Sequence, residues 1–288
     1  MNLTSPSQVK AWCIENGFHP NKVLGQNFLI DQNTLKAIVD AGLENVRMFE
    51  CSNRRIAELS NRQTGELVNV LEIGPGLGVL TEELLKRGCR VTAIEKDPVL
   101  AARLKESLGN PDDLEVVAGD ALDWLAQSNN RTFEQSNNFD VMISNLPYQA
   151  GTRILLELVK ARELKSMTVL VQTEVAERLA AKEGTKTRGL AGVWAQLDYD
   201  VKIVRKVAAS CFWPRPEIGS SVVRLVRHDR NAGLAPEERD LFHRLTKQAF
   251  EHRRKQLGSI FKDMIQSTAR AEELSNEDWI QLTKGLIG

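Results

Sequence analysis

Apolar positions in the middle of the chain alternate between two periods. Short, nearly continuous apolar runs of strand length are separated by stretches in which apolar residues recur at helical spacing, as at Leu80, Leu84 and Leu85. Strands that alternate with helices predict an α/β fold with a parallel sheet wound by right-handed crossovers. The predicted strands cover residues 68–73, 90–95, 114–118, 139–144 and 167–172.

The segments before the first strand have a different pattern. Residues 6–16 predict a helix that is capped by Ser5 and has Pro6 at its first position. Residues 33–42 predict a second, amphipathic helix. Segment 44–66 has no clean period, and we interpret it as a helix and a loop without an assigned function.

The pattern changes again towards the C-terminus. After a helix at 174–181, two β-rich runs at 201–207 and 221–226 predict an antiparallel pair at a sheet edge. Beyond Asp229 every predicted element is a helix, at residues 237–250, 253–262 and 276–286. We therefore predict two domains, residues 1–228 with the sheet and residues 229–288 as a small helical domain.

Composition restricts the class of protein. The 288 residues are 42% hydrophobic and 26% charged, which is typical of a globular chain that is long enough for one large and one small domain. No window approaches ~18 consecutive apolar residues, and residues 1–10 lack the pattern of a signal peptide. We expect a cytoplasmic protein that does not bind a membrane.

Cysteine and histidine give no indication of a metal centre. The four cysteines are far apart and include no Cys-x-x-Cys pair, which argues against a zinc site and against a disulfide framework. We expect them to be reduced. His243 and His252 lie in a charged helical stretch and are interpreted as part of a solvated helix face. We predict no bound metal.

Charge is balanced over the chain but not within it. Lysine plus arginine and aspartate plus glutamate both number 38, so the net charge gives no argument for nucleic acid. Residues 241–262, however, contain six basic residues and a single acidic one, Glu251. This stretch is either a solvated helix face or a surface for phosphate groups, and Arg253, Arg254 and Lys255 are the residues to test.

The first predicted strand breaks into a glycine-rich turn, Glu-Ile-Gly-Pro-Gly-Leu-Gly at 72–78. A dinucleotide fingerprint requires a third glycine three places after the second, where the pyrophosphate meets a helix N-terminus. Here that place is Val79, so the spacing favours S-adenosylmethionine over NAD. Alone the motif is weak, because a glycine turn without a ligand is also compatible with it.

Two carboxylates follow the next two strands. Glu95 ends the second strand, about 20 residues past the glycines, where a carboxylate can accept hydrogen bonds from both ribose hydroxyls of a nucleoside cofactor. The alternative for Glu95 is a solvated strand end. Asp120 follows the third strand, where it can accept from an adenine amino group or cap the next helix, and the two roles are compatible.

The fourth predicted strand ends in Asn145-Leu146-Pro147-Tyr148, which is the most specific signal for a reaction. At the carboxyl end of a strand in an open α/β sheet, the Asn145 amide oxygen and nearby carbonyls face the ligand crevice. Two acceptors that bind the hydrogens of an adenine amino group would favour the pyramidal nitrogen that can attack a sulfonium methyl group, with Tyr148 stacked on the base. Catalysis would then depend on orientation and electrostatics.

A base that reacts in such a pocket must leave its stack, so a second aromatic side chain is expected on its other face. Phe212 is the candidate and Trp213 is the alternative, and either could instead be part of the core.

Together these segments resemble the KsgA family of ribosomal RNA adenine dimethyltransferases. They occur in the family's order between Leu24 and about His228, and the Gly-Gln-Asn-Phe element at 25–28 is the most family-specific of them. The segments that carry the resemblance are residues 24–29, 72–78, 145–148, 172–179 and 212–216.

The resemblance implies a Rossmann-like class I methyltransferase sheet with a small C-terminal helical domain, and S-adenosylmethionine as the cofactor. It also implies N6,N6-dimethylation of two adjacent adenines near the 3′ end of small-subunit (16S) ribosomal RNA in the 30S particle, with a role in subunit biogenesis. We expect a monomer. By position, the cofactor contacts would be Asn27, Leu29, Gly74, Glu95, Asp120 and Asn145. The adenine pocket would be lined by Asn145, Leu146, Tyr148 and Phe212.

The chain departs from the family pattern directly after Tyr148, where Gln-Ala-Gly-Thr stands at 149–152 in place of the frequent Asn-Ile-Ser-Thr. This affects the rim of the pocket and the docking of the substrate. Alternative interpretations are the related large-subunit type that confers antibiotic resistance, a DNA adenine methyltransferase, and an assembly or transcription factor that has lost transfer. Intact Glu95, Asp120, Asn145 and Tyr148 argue against that loss.

Overall fold

The structure is a computed structural model that describes residues 3–21, 24–57, 67–128, 139–161 and 164–287. Its strands are β1 (Phe28–Leu29), β2 (Val68–Ile73), β3 (Cys89–Glu95), β4 (Leu114–Ala118), β5 (Val141–Asn145), β6 (Ser166–Gln172), β7 (Tyr199–Val207), β8 (Phe212–Trp213) and β9 (Ser220–Arg227). Its α-helices are α1 (Pro6–Glu15), α2 (Gln32–Ala57), α3 (Val79–Lys86), α4 (Pro98–Ser107), α5 (Ala121–Ser128), α6 (Gly151–Ala161), α7 (Thr173–Leu179), α8 (Leu190–Asp198), α9 (Pro236–Glu251), α10 (Leu257–Phe261) and α11 (Asn276–Ile287).

Seven strands form one sheet in the order β4-β3-β2-β5-β6-β9-β7. The first five in that order are parallel, and β9 is antiparallel to both of its neighbours. The α/β fold and the antiparallel pair at the edge are therefore confirmed. The strand order reverses between β2 and β5, and in open α/β sheets the crevice at such a switch point is where ligands bind.

The sheet is covered on both faces. Alternate residues of a strand point to opposite faces, so Leu71 and Val70 of β2 belong to two different hydrophobic clusters. A third cluster joins Val193 and Trp194 of α8 to the C-terminal helices, including Trp279. Because α8 shares this cluster with residues beyond 229, the division into two domains at that point stays a prediction.

Two predicted helices have different limits in the structure. The helix predicted at 33–42 continues to Ala57, and residues 58–66 of segment 44–66 lie outside the described residues. The predicted helix 253–262 is wrong over its first half, since α10 begins only at Leu257. The physical reason is that two N–H groups have partners other than the carbonyls four residues earlier, to which they would donate in a helix. The Leu257 N–H donates to the Ala269 carbonyl, and the Gly258 N–H donates to the Ser267 carbonyl.

The capping expected of Ser5 is also not observed. Ser5 precedes α1, but its side chain makes no bond to the helix backbone, and its hydroxyl lies 3.0 Å from that of Ser7. Pro6 begins the helix as predicted.

Across the described ranges, none of the helices combines the length and apolar character needed to cross a bilayer. Within the same ranges, no group of three or more His, Cys, Asp or Glu side chains is arranged to hold a metal ion. Cys13, Cys89 and Cys211 are free cysteines.

Candidate active site

A cavity of about 400 Å³ opens at the carboxyl ends of β2, β3 and β5, at the switch point of the sheet. We call one side of it the glycine-turn wall, formed by residues 72–77, 95 and 119–122. The adjoining side is the tyrosine-turn wall, formed by residues 145–148 and by the loop at 24–29. This volume falls in the range of small-molecule sites in proteins.

Backbone conformation explains why the glycine-turn wall is rich in glycine. Gly74, Gly76 and Gly78 have φ angles of +70°, +60° and +88°, which residues other than glycine rarely adopt. The turn also lacks space, because a Cβ on Gly78 would lie 2.5 Å from Leu104 Cδ1. The first turn of α3 is thereby packed closely against α4.

Glu95 ends β3 and is buried, with 6% of its surface exposed. One carboxylate oxygen accepts from the Gly76 N–H at 3.0 Å, and the other accepts from the Asp97 N–H at 2.8 Å. Burial raises the pKa of Glu95, and these backbone bonds oppose that rise. The carboxylate therefore holds the glycine turn in place while it lines the cavity.

Asp120 is placed by both of its carboxylate oxygens. One oxygen accepts from the Leu122 N–H at 2.8 Å at the start of α5, and the other accepts from Lys96 Nζ at 2.8 Å. The hydrogen bond from Lys96 is the main cause of the lowered pKa of Asp120. The helix cap expected as one of its two roles is present, and the residue also lines the cavity.

Sequence reasoning missed Glu72, a buried acid one residue before the carboxyl end of β2 that lines the cavity. Burial raises its pKa to about 8, although the Thr81 hydroxyl donates to its carboxylate at 2.7 Å. A charged residue inside an otherwise apolar strand of a parallel sheet was the available signal, because such strands are normally buried on both faces.

The tyrosine-turn wall begins where β5 ends. The Asn145 amide nitrogen donates to the Asn27 carbonyl at 3.3 Å. Leu146 is 1% exposed, and its N–H donates to the Leu170 carbonyl at 3.1 Å. Tyr148 is half-buried, lines the cavity, and has its hydroxyl 2.7 Å from that of Ser220. Burial raises the pKa of Tyr148.

The loop at 24–29 packs directly on this turn. Gly25 has φ +66°, and a Cβ there would lie 3.2 Å from the Tyr148 backbone nitrogen. The Asn27 amide donates to the Gly25 carbonyl at 3.1 Å, which folds the loop on itself. The Gln26 amide donates to the Asp97 carboxylate at 3.0 Å, and this bond ties the loop to the start of α4.

Phe212 is the one predicted site residue that does not line the cavity. It is 2% exposed and pairs with Leu29 in the short β1–β8 ladder. Its ring meets the Tyr148 ring edge-on, with centroids 6.5 Å apart. The alternative, Trp213, stacks on Phe28 with centroids 6.5 Å apart. A second aromatic contact to a substrate base from either residue stays a prediction.

The remaining predicted site residues, Asn27, Leu29, Gly74, Glu95, Asp120, Asn145, Leu146 and Tyr148, all line the cavity. A parallel sheet with a glycine turn, an acid after the next strand and an Asn-Leu-Pro-Tyr turn across the switch point defines a class I methyltransferase.

The particular family follows from the sequence. The profile of the family described as ribosomal RNA adenine dimethylase matches residues 17–284, and the chain belongs to that family. The chain is 41% identical to ribosomal RNA small subunit methyltransferase A of Deinococcus radiodurans, over 91% of this chain and 79% of the relative. It is 36% identical to the protein of the same name from Alkaliphilus oremlandii, over 88% of this chain and 82% of the relative. The resemblance to the KsgA family is confirmed.

Solved structures agree on the fold. A dimethyladenosine transferase from Plasmodium falciparum superposes with a TM-score of 0.66 at 23% identity, covering 88% of this chain and 95% of that one. The 23S rRNA methyltransferase ErmE superposes with a TM-score of 0.60 at 23% identity, covering 91% of this chain and 100% of that one. The Rossmann-like class I methyltransferase fold is thereby confirmed.

Proposed function

We propose that this chain uses S-adenosylmethionine to dimethylate the N6 atoms of two adjacent adenines near the 3′ end of small-subunit ribosomal RNA. The observation that carries the proposal is the position of the tyrosine turn, which lies beside the glycine turn at the switch point of the sheet, so that both line one cavity. The RNA is inferred from the names of the relatives, which are small-subunit methyltransferases.

The glycine-turn wall fits the nucleoside part of S-adenosylmethionine. Gly74 and Gly76 have positive φ angles, which favour glycine at both positions. Because glycine has no side chain, a ligand can approach the backbone closely there. Each carboxylate oxygen can accept about two hydrogen bonds, so Glu95 and Asp120 retain acceptor capacity beyond their present partners. Glu95 would receive the ribose hydroxyls, and Asp120 would receive the adenine amino group.

The tyrosine-turn wall would hold the other end of the cofactor and the target base. Asn27, Leu29 and Asn145 would contact the methionine part, because they line the cavity on the tyrosine-turn wall. When bound, S-adenosylmethionine supplies an electrophilic methyl group on a positively charged sulfur.

The chemical task of the chain is to orient the adenine amino group. Because the Asn145 amide nitrogen faces the Asn27 carbonyl, the amide oxygen faces the other way and can accept one amino hydrogen. The Leu146 carbonyl is assigned to the other hydrogen, since the Pro147 carbonyl already accepts from the Gly151 N–H at 2.7 Å. Holding both hydrogens directs the nitrogen lone pair out of the ring plane for in-line attack.

Tyr148 would stack on the base and hold it outside the RNA stack. The nitrogen that has gained a methyl group loses a proton readily, so no side chain is required as a base. This explains why the chemistry can proceed with an amide, a backbone carbonyl and an aromatic ring.

The substrate RNA would contact the C-terminal basic surface, which we define as Arg244, Lys247, Arg254 and Lys255. All four side chains belong to α9 or to the turn before α10. Arg253 is a weaker candidate than its position in the sequence indicates, because it donates to the Lys186 carbonyl and lies 3.6 Å from Glu272.

The experiment that tests the proposal is incubation of the purified chain with labelled S-adenosylmethionine and undermethylated small subunits, followed by nucleoside analysis. We expect label in N6,N6-dimethyladenosine from small subunits and none from purified large subunits. Label in large-subunit adenine instead would favour the resistance-type alternative, and the absence of label from both particles would contradict the proposal.

A further inference from the structure

The hydroxyl of Tyr148 has a partner that stacking alone does not explain. An aromatic ring that only stacks on a base needs no hydroxyl, and phenylalanine would serve equally well. In this chain the phenol oxygen lies 2.7 Å from Ser220 Oγ, and either atom can be the donor. Ser220 is fully buried, so its hydroxyl has no access to bulk water as an alternative partner.

Ser220 is itself a fixed point of the fold. It is the first residue of β9, and it is paired with Gln172 of β6 on one side and with Val207 of β7 on the other. A residue held in two ladders has little backbone freedom. Its hydroxyl therefore provides a rigid anchor at the edge of the tyrosine-turn wall.

The rest of Tyr148 is held at two other places. Its backbone is approached closely by Gly25, and its ring meets the edge of the Phe212 ring at an interplanar angle of 69°. The bond to Ser220 fixes the far end of the same side chain. The hydroxyl oxygen lies on the axis about which the ring turns, so this bond fixes the direction of that axis and the position of the ring, while the contact with Phe212 limits the tilt of the ring.

From this geometry we infer that Ser220 is a positioning residue for methyl transfer, because its hydroxyl fixes the position of the Tyr148 ring on which the target adenine stacks. The inference rests on the proposed function. Ser220 does not line the cavity and acts through Tyr148. A base stacked on a displaced ring would present its amino group out of line with the reacting carbon, which lowers the rate of transfer more than the affinity for RNA.

The test is a double-mutant cycle on the 2.7 Å pair, with Ser220→Ala, Tyr148→Phe and the double variant. Loss of one such bond should lower kcat by about tenfold in each single variant, with KM for the small subunit changed by less than about twofold. The double variant should be no slower than either single variant, since all three lack the same hydrogen bond.

A matched control is available at the next residue. Ser221 is also fully buried in β9, and its hydroxyl lies 3.2 Å from that of Thr173 and is not bonded to Tyr148. Ser221→Ala should keep kcat within about twofold of the wild type while losing a comparable amount of stability. If Ser220→Ala folds poorly, Tyr148→Phe removes the same bond from the half-buried side and gives the same readout.

Wild-type kcat in Ser220→Ala would overturn the inference alone, and so would rate losses in the two single variants that multiply in the double variant. Equal losses in Ser220→Ala and Ser221→Ala would also overturn it, because they would indicate a structural role. A wild-type chain that binds S-adenosylmethionine but forms no dimethyladenosine would instead overturn the proposed function and this inference with it.

Discussion

The glycine-turn wall is built from residues that lie close together along the chain, whereas the tyrosine-turn wall joins distant segments. In the first, Gly76 bonds to Glu95 at a separation of 19 residues, and Thr81 bonds to Glu72 at a separation of nine. In the second, Asn145 bonds to Asn27 at a separation of 118 residues, and Tyr148 bonds to Ser220 at a separation of 72.

This difference has a consequence for function. The glycine-turn wall is complete once three consecutive βα units have folded, so changes there should act on stability and on cofactor binding. The tyrosine-turn wall needs the N-terminal loop, β5 and β9 in place at once. Changes there should act on the orientation of the substrate and, at Asn27, Leu29 and Asn145, on binding of the methionine part of the cofactor.

The largest effect is expected from Asn145→Ala, which removes the amide from the tyrosine-turn wall. If the amide oxygen holds an amino hydrogen in the transition state, turnover should fall by about 10³-fold with RNA binding largely intact. Turnover and small-subunit affinity are measured separately. Asn231→Ala is the matched control, because it removes a similar amide-to-carbonyl bond, to Leu197 at 2.6 Å, away from the cavity. Undiminished turnover in Asn145→Ala would refute the mechanism.

The next effect concerns the glycine-turn wall and depends on pH. Glu72 has an ordinary pKa of 4.5 that burial raises to about 8 in the folded chain. Below pH 4.5 both states carry the proton. Between pH 4.5 and 8 the unfolded state releases it while the folded state retains it, so stability falls as pH rises, by up to about 1.4 kcal/mol per pH unit. Above pH 8 this dependence ends.

Glu72→Gln should remove this dependence while an amide oxygen still accepts from Thr81. Urea unfolding of both proteins at pH 5, 6, 7 and 8 measures it, and the stability advantage of the variant should widen towards pH 8. The control is Glu106→Gln, which removes the same charge from an exposed position of α4. Parallel stability curves for wild type and Glu72→Gln would show that burial does not govern this acid.

Gly25→Ala tests what one added methyl group does at the loop of the tyrosine-turn wall. The new Cβ would meet the Tyr148 backbone nitrogen at 3.2 Å in a backbone with φ +66°, so turnover should fall by about tenfold. Gly88→Ala is the control, since Gly88 has φ +74° and open space around a Cβ. Both variants should lose roughly 1–2 kcal/mol of stability. A similar loss of turnover in Gly88→Ala would contradict a specific role for the Gly25 contact.

The same contrast decides what could be predicted from the sequence. The strands and glycine turn that form the glycine-turn wall were predicted with limits close to those observed, because their signals are local. The β1–β8 ladder, the Tyr148–Ser220 bond and the Gln26–Asp97 bond were not, because each joins residues distant along the chain and no local pattern marks it. Glu72 was a local signal that was overlooked.

The contribution of RNA binding can be tested apart from that of both walls with a substitution outside the cavity. Arg254 and Lys255 are exposed in the turn between α9 and α10, whereas Arg253 is engaged by Glu272. The double variant Arg254→Gln/Lys255→Gln should weaken small-subunit binding by about threefold and lower the slope of log affinity against log salt by about 0.8 per charge.

Turnover at saturating small subunit should be unchanged in this variant, because neither side chain touches the cavity. The control is Lys10→Gln/Lys36→Gln, which removes the same charge from exposed positions of α1 and α2. An unchanged affinity and salt slope in Arg254→Gln/Lys255→Gln would exclude these two residues from the phosphate-contacting surface. A loss of turnover at saturating small subunit would instead indicate that the C-terminal helices affect the tyrosine-turn wall, because that wall alone is built from segments that lie far apart in the chain.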